Sequence, residues 1–161
     1  MLEKHQDQLN KIIEVARIHL YRMDESWKII THIQPINEQV YSNLSIEQAA
    51  FVDQYIFRFA KLQDLIGDKL FRLLLIVSYE NIDRLTFKDI LNKIEKLGII
   101  ESAEQWIEIR ETRNDVSHEY PVISEEAIAS LNNLFRLKPI LERIFQNCLQ
   151  CIRSQDIEIK H

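Results

Sequence analysis

The sequence predicts an all-α protein, an up-and-down bundle of five helices in a single domain that spans residues 1–161. Only two Gly and three Pro occur in the 161 residues, too few for the many tight turns of a sandwich or barrel. Apolar residues recur at spacings of three and four, which is typical of amphipathic helices. No shift in composition marks a second domain, and a chain of this length can bury a core without disulfides or metals.

The first predicted helix ends before Pro35 and carries a heptad-type seam of apolar residues. Its members are Leu9, Ile13, Ala16, Leu20, Met23, Trp27 and Ile30. Such a seam faces either the protein's own core or a second copy of the chain in a structural helical dimer, and the core is the more frequent use. Residues 34–44 show little periodicity and are predicted to be a loop.

The second predicted helix begins at a capping box formed by Ser45 and Gln48. Its apolar face is long and comprises Phe51, Tyr55, Phe59, Leu62, Ile66, Leu70, Leu73 and Val77. Gly67 interrupts this helix, where it costs about 1 kcal/mol relative to Ala unless close packing uses the missing side chain.

The third and fourth helices are bounded by recognisable caps. Thr86 begins the third helix and Gly98 follows its end, in the left-handed position that glycine favours. Ser102 begins the fourth helix, and Pro121 stops it because the residue before proline avoids helical angles.

The fifth helix is predicted from Ser124 to about Arg153, with a kink or break at Pro139. It carries Cys148 and Cys151, whose spacing allows a redox pair or half of a zinc site. No second cysteine pair completes a metal site, so two buried thiols are the favoured interpretation.

Charge and hydropathy limit the class of protein. The net charge of −5 and a pI of about 5.6 disfavour a sequence-blind nucleic-acid coat protein. The N-terminus shows no apolar signal region, and the longest apolar run, 73–77, is far too short to cross a bilayer. We therefore expect a cytoplasmic protein without a membrane partner.

One arginine does not fit the pattern of the fourth helix. At about 100° per residue, Trp106, Ile109 and Val116 define the buried face. Arg113 projects into the middle of that face, with Tyr120 beside it. A guanidinium there either extends its head to solvent, pairs with a buried carboxylate, or lines a cleft.

A histidine follows this arginine at the end of the helix. His118 alone is typical of a surface histidine favoured by the helix dipole. Five residues rotate it by about 140° from Arg113, so one straight helix cannot direct both side chains to the same atom. They converge only if the helix bends near its end or if two subunits face each other across a symmetric cleft.

Residues 113–120 (RNDVSHEY) resemble the Arg-x4-His-x-Tyr motif of HEPN-domain proteins, and most closely the HEPN toxins encoded beside a minimal nucleotidyltransferase antitoxin. The segment 97–100 (LGII) and the following Trp-containing helix extend the likeness to roughly Phe57 through Pro121.

The resemblance implies a homodimer of HEPN type that cleaves RNA without a metal or cofactor, in a cleft between protomers. Arg113 would neutralise charge on the scissile phosphate, and His118 would act as general acid or base. Asn114, Ser117 and Arg110, which flank this pair, would be supporting residues. No DNA partner is expected.

Tyr120 has a separate implied role. In the HEPN toxins that the motif resembles, this tyrosine is the site to which the antitoxin nucleotidyltransferase attaches AMP and so silences the toxin. A nucleotide on the phenol would fill the cleft and place a phosphate beside Arg113.

The alternative to a ribonuclease is a non-catalytic binding subunit of a nucleotidyltransferase. The charge of the motif helix bears on this choice, because a ribonuclease must bind the polyanion RNA. Residues 101–120 carry six acidic and two basic side chains, so positive charge for RNA must come from elsewhere. Residues 58–72 of the second helix have a basic excess, which is also typical of a solvated helix face. Its charged residues include Arg58, Lys61, Lys69 and Arg72, against Asp64 and Asp68.

Overall fold

The computed structural model describes residues 2–78 and 80–155, and their side chains from Lys4 onward. Every regular element in these residues is helical, which confirms the all-α class. In chain order the helices are α1 (Leu2–Ile30), α2 (Glu38–Ser42), α3 (Ile46–Leu65), α4 (Phe71–Val77), α5 (Phe87–Lys96), α6 (Ala103–Glu119), α7 (Glu125–Arg136) and α8 (Lys138–Arg153). None of them is long and apolar enough to span a membrane.

The predicted helix starts are confirmed by their caps. Ser45 and Thr86 form complete capping boxes with Gln48 and Asp89. The Ser102 hydroxyl likewise accepts a hydrogen bond from the first turn of α6. These hydroxyls satisfy amides that the helix itself cannot pair, so each helix begins at a defined residue.

The count of five helices was wrong, for three local reasons. A π-helical turn divides the second predicted helix into α3 and α4. The break expected at Pro139 is confirmed and divides the fifth into α7 and α8, because Pro139 lies in the first turn of α8, where its missing N–H costs no hydrogen bond. The predicted loop 34–44 contains α2, which is capped by the Asn37 side chain. Tyr41 of α2 donates a hydrogen bond to the carbonyl of Pro121, 3.0 Å away, so this short helix is anchored against the end of α6.

A π-helical turn, Ile66–Leu70, joins α3 to α4 without interruption. Gly67 in this turn lies against Trp106 of α6, and a Cβ built on Gly67 would be 2.9 Å from the indole Cζ2. The close packing that offsets the cost of a glycine within a helix is therefore present at Gly67. Trp106 is fully buried, and its ring centroid lies 4.7 Å from that of Phe71.

The α1 seam faces the interior. Its residues Leu9, Ile13, Ala16, Met23 and Ile30 are buried, and α1 packs mainly along α3. The core interpretation of the heptad seam is thus confirmed. Helix α3 contacts both α1 and α6, and its residues Asp53, Phe57 and Lys61 remain exposed to solvent.

Candidate functional site

The candidate site lies where the C-terminal half of α6 runs beside α3. In the N-terminal half of α6, Ala103, Trp106 and Ile109 are buried in the core. Beyond Thr112, Val116 is still buried, but Arg113 and Tyr120 on the same face are polar and reach carboxylates of α3. The face therefore changes from purely apolar to mixed within one turn.

Arg113 is three-quarters buried and paired. Its Nη2 lies 2.6 Å from Oδ2 of Asp64, and its Nη1 donates to Oδ1 of Asn114 at 2.8 Å. This is the arginine–carboxylate pair that the sequence left open as an alternative. The buried Nε has no hydrogen-bond partner among the described residues. Since a guanidinium has five N–H donors, Arg113 keeps spare donors after both contacts.

Tyr120 is the first residue beyond α6, and its backbone is extended. Its hydroxyl donates a short hydrogen bond to Oδ1 of Asp53, and its ring meets that of Tyr41 edge-on at 6.2 Å. Burial, followed by the hydrogen bond to Asp53, raises the pKa of Tyr120 well above its ordinary value of 10. The phenol is therefore neutral at physiological pH and is held against a carboxylate that can accept its proton.

The two carboxylates lie on one face of α3, which we call the α3 stripe. The stripe consists of Asp53, Phe57, Lys61 and Asp64, spaced by four, four and three residues. Eleven residues of helix separate its ends by about 16 Å, so it spans the whole motif. Sequence reasoning counted Asp64 only in a charge balance and missed Asp53, although the spacing was visible.

His118 is exposed in the last turn of α6, and no described residue hydrogen-bonds to its ring. The helix is continuous through it, so no break between Arg113 and His118 brings the two side chains together. Within one chain, the structure joins Arg113, Asn114 and Tyr120 to the α3 stripe and leaves His118 facing solvent.

Two of the supporting residues point elsewhere. The Arg110 guanidinium lies over the ring of Phe87 of α5, 5.1 Å from its centroid. Ser117 is exposed, and its hydroxyl donates to the carbonyl of Arg113 in its own helix at 2.9 Å. Buried Thr112 was not singled out, yet its hydroxyl accepts a bond from the Asn133 amide and ties α6 to α7.

The cysteines lie apart from this site, in α8. Cys148 is buried and Cys151 is partly buried, and both thiols are free. Burial raises the pKa of each thiol, which disfavours the reactive thiolate. In the described ranges, no three His, Cys, Asp or Glu side chains are grouped as a metal site requires.

No protein-family model matches this chain, and no curated protein or solved structure matches it either.

Proposed function

We propose that this chain is the toxin of a toxin–antitoxin pair, a cytoplasmic homodimeric ribonuclease of HEPN type that acts without a metal. One observation carries the proposal. Arg113 and Tyr120 of the RNDVSHEY motif meet the α3 stripe, and His118 is exposed at the same end of α6, so these polar residues do not serve the apolar core. The resemblance of the motif supplies the activity.

Arg113 would hold the scissile phosphate. Asp64 and Asn114 orient its guanidinium, and its remaining N–H donors are available to phosphate oxygens. In water-poor surroundings a preorganised cation stabilises charge that develops on the phosphate. The quarter of the side chain that is exposed gives a phosphate access.

His118 would move the proton. As general base it takes the proton of a ribose 2′-hydroxyl, whose oxygen attacks phosphorus and displaces the 5′-oxygen of the next nucleotide. The departing 5′-oxygen takes a proton from water, so the products are a 2′,3′-cyclic phosphate and a 5′-hydroxyl. Since α6 is continuous, the arginine and histidine that act on one phosphate would come from two subunits across a cleft.

Tyr120 would be the point of control. A nucleotidyltransferase antitoxin would transfer AMP to the phenol oxygen from ATP, with release of pyrophosphate, and Asp53 is placed to accept the phenol proton. The phenol oxygen is held at Asp53 and the Arg113 guanidinium at Asp64, at opposite ends of the α3 stripe, so the expected position of the added phosphate beside Arg113 does not follow within one chain. The nucleotide would instead occupy the stripe, and its negative charge would repel RNA that approaches Arg113 along it.

The first test is expression of the chain alone, followed by assay of the purified protein on RNA. Wild type should arrest growth and cleave RNA with EDTA present. His118→Ala should lower the cleavage rate by about 10²- to 10⁴-fold, the range of general acid–base catalysis. His32→Ala, which removes another exposed histidine, is the matched control and should retain activity.

The Arg113–Asp64 pair also favours a second candidate, the non-catalytic binding subunit of a nucleotidyltransferase, because it gives Arg113 a structural use. A wild-type protein that binds such a partner but leaves RNA intact at stoichiometric concentration would establish this alternative. RNA cleavage that His118→Ala does not reduce would also contradict the ribonuclease assignment of His118.

A further inference from the structure

A second cluster of charged side chains flanks the α3 stripe on its α1 side. Nη1 of Arg58 lies 3.0 Å from Nδ1 of His19, and both side chains are partly exposed. Arg22 of α1 and Lys61 of the stripe are close enough to act electrostatically on His19. Among the described residues, none of these three cations forms an ion pair with a carboxylate.

The imidazole in this cluster serves as an acceptor. A guanidinium can only donate, so Nδ1 of His19 must carry a lone pair toward Arg58. Burial, then the charges of Arg58, Lys61 and Arg22, lower the pKa of His19 and keep it neutral. The Nε of Arg58 is buried and has no hydrogen-bond partner in the part of the chain that the structure describes. Within those residues the cluster thus holds positive charge without a counter-ion.

An exposed aromatic ring lies within the same cluster. Phe57 of the stripe is half exposed. Arg58 and Lys61 lie 5.1 and 5.6 Å from its ring centroid. Aromatic rings flanked by cations are the usual elements with which proteins hold single-stranded nucleic acid, since a base stacks on the ring and phosphates meet the cations.

We propose that this cluster binds single-stranded RNA and guides it along the α3 stripe to Arg113. Phe57 stacks on a base, while Arg22, Arg58 and Lys61 contact the phosphates on either side. The choice of RNA as the ligand rests on the proposed function. Lys61 is one turn from Asp64, the partner of Arg113, so one strand can contact both places. An acidic chain thereby obtains local positive charge for a polyanion.

The test measures fluorescence anisotropy of a labelled 12-nucleotide oligouridine, in a His118→Ala background that prevents cleavage. The double variant Arg58→Gln/Lys61→Gln should raise Kd at least tenfold. The slope of log K against log salt should become shallower by about 1.4, since each contact to single-stranded phosphate contributes about 0.7. Lys69→Gln/Arg72→Gln is the matched control. It makes the same charge change on the continuous helix formed by α3, the π-helical turn and α4, and it should bind RNA like the parent.

A second pair of variants tests the stacking. Phe57→Ala should raise Kd at least about fivefold, the lower range for one stacked base. Ile46→Ala removes another exposed apolar side chain, 92% exposed on the same helix, and should leave Kd unchanged. Lys61→Gln alone changes an exposed side chain, so a loss of RNA binding by this variant cannot be due to unfolding. Thermal melts of all variants accompany the titrations.

Equal affinities for cluster and control variants would overturn the proposal. So would a loss of dimer in sedimentation by the cluster variants with RNA affinity unchanged, because the cluster would then be a subunit interface. RNA binding that depends on the cluster, in a wild type that never cleaves RNA, would leave this site standing while the proposed ribonuclease function fails. If the wild type cleaves RNA but its RNA affinity does not depend on the cluster, the proposed ribonuclease function stands and this binding site is overturned.

Discussion

The two halves of α6 differ in what the side chains on one helical face contact. In the first half, Trp106 is fully buried against Phe71 and the bare backbone of Gly67. In the second half Val116 is still buried, but Arg113, and Tyr120 just beyond the helix end, extend to the accessible carboxylates of Asp64 and Asp53. Apolar burial stabilises a fold far more than surface ion pairs do. Stability should therefore depend mainly on the apolar residues of the first half, and the positions of Arg113 and Tyr120 should tolerate chemical change.

The largest effect should come from Trp106→Ala. Removing a fully buried indole should lower the free energy of unfolding by about 3–5 kcal/mol, as large-to-small changes of aromatic core residues do. Urea titration followed by circular dichroism measures it. A loss below about 1 kcal/mol would mean that the core around Gly67 rearranges, and the contrast between the halves would disappear.

Asp64→Asn should have a much smaller effect on stability. It breaks the ion pair with Arg113, whose two side chains are 26% and 40% exposed, so the free energy of unfolding should fall by about 0.2–1 kcal/mol. The same urea titration applies, with Glu108→Gln, which breaks the more exposed pair with Arg136, as control. A loss above 2 kcal/mol for Asp64→Asn would place the C-terminal half of α6 among the stabilising elements.

The smallest effect is the pH dependence contributed by Tyr120. Its pKa is raised in the folded chain, so above about pH 10 the unfolded tyrosine loses a proton that the folded one keeps. Stability should therefore fall as pH rises beyond 10. Urea midpoints at pH 8, 10 and 11 should decline less steeply for Tyr120→Phe than for wild type. Equal slopes would show that the Asp53 contact does not hold the phenol proton.

Local signals predicted most of the helices. Ser45, Thr86, Ser102 and Ser124 each cap the helix they were expected to begin, because capping depends on residues within one turn. The orientation of Arg113 on the buried face also followed from the helix period alone. For the same reason α2 was missed: five residues show no period, and the helix depends on a cap and on a bond to Pro121 from elsewhere in the chain.

The partners of the motif could not be predicted in the same way. Asp53 and Asp64 lie 67 and 49 residues from the side chains they hold. Which carboxylate meets which residue depends on how α6 is aligned along α3, and that alignment is set by the packing of Trp106 against the π-helical turn. The function implied by the resemblance of the motif stays a prediction.

The π-helical turn also limits how the length of this chain can change. It accommodates one extra residue in the otherwise regular helix that α3 and α4 form together. Deleting a single residue from it would restore a regular α-helix and leave α4 in its present direction. Outside the turn, a deletion would rotate the residues that follow it by about 100°, which would exchange buried positions such as Phe71 and Leu73 with the partly exposed Arg72 between them. The chain should therefore tolerate the loss of one residue at this turn better than elsewhere along α3 and α4.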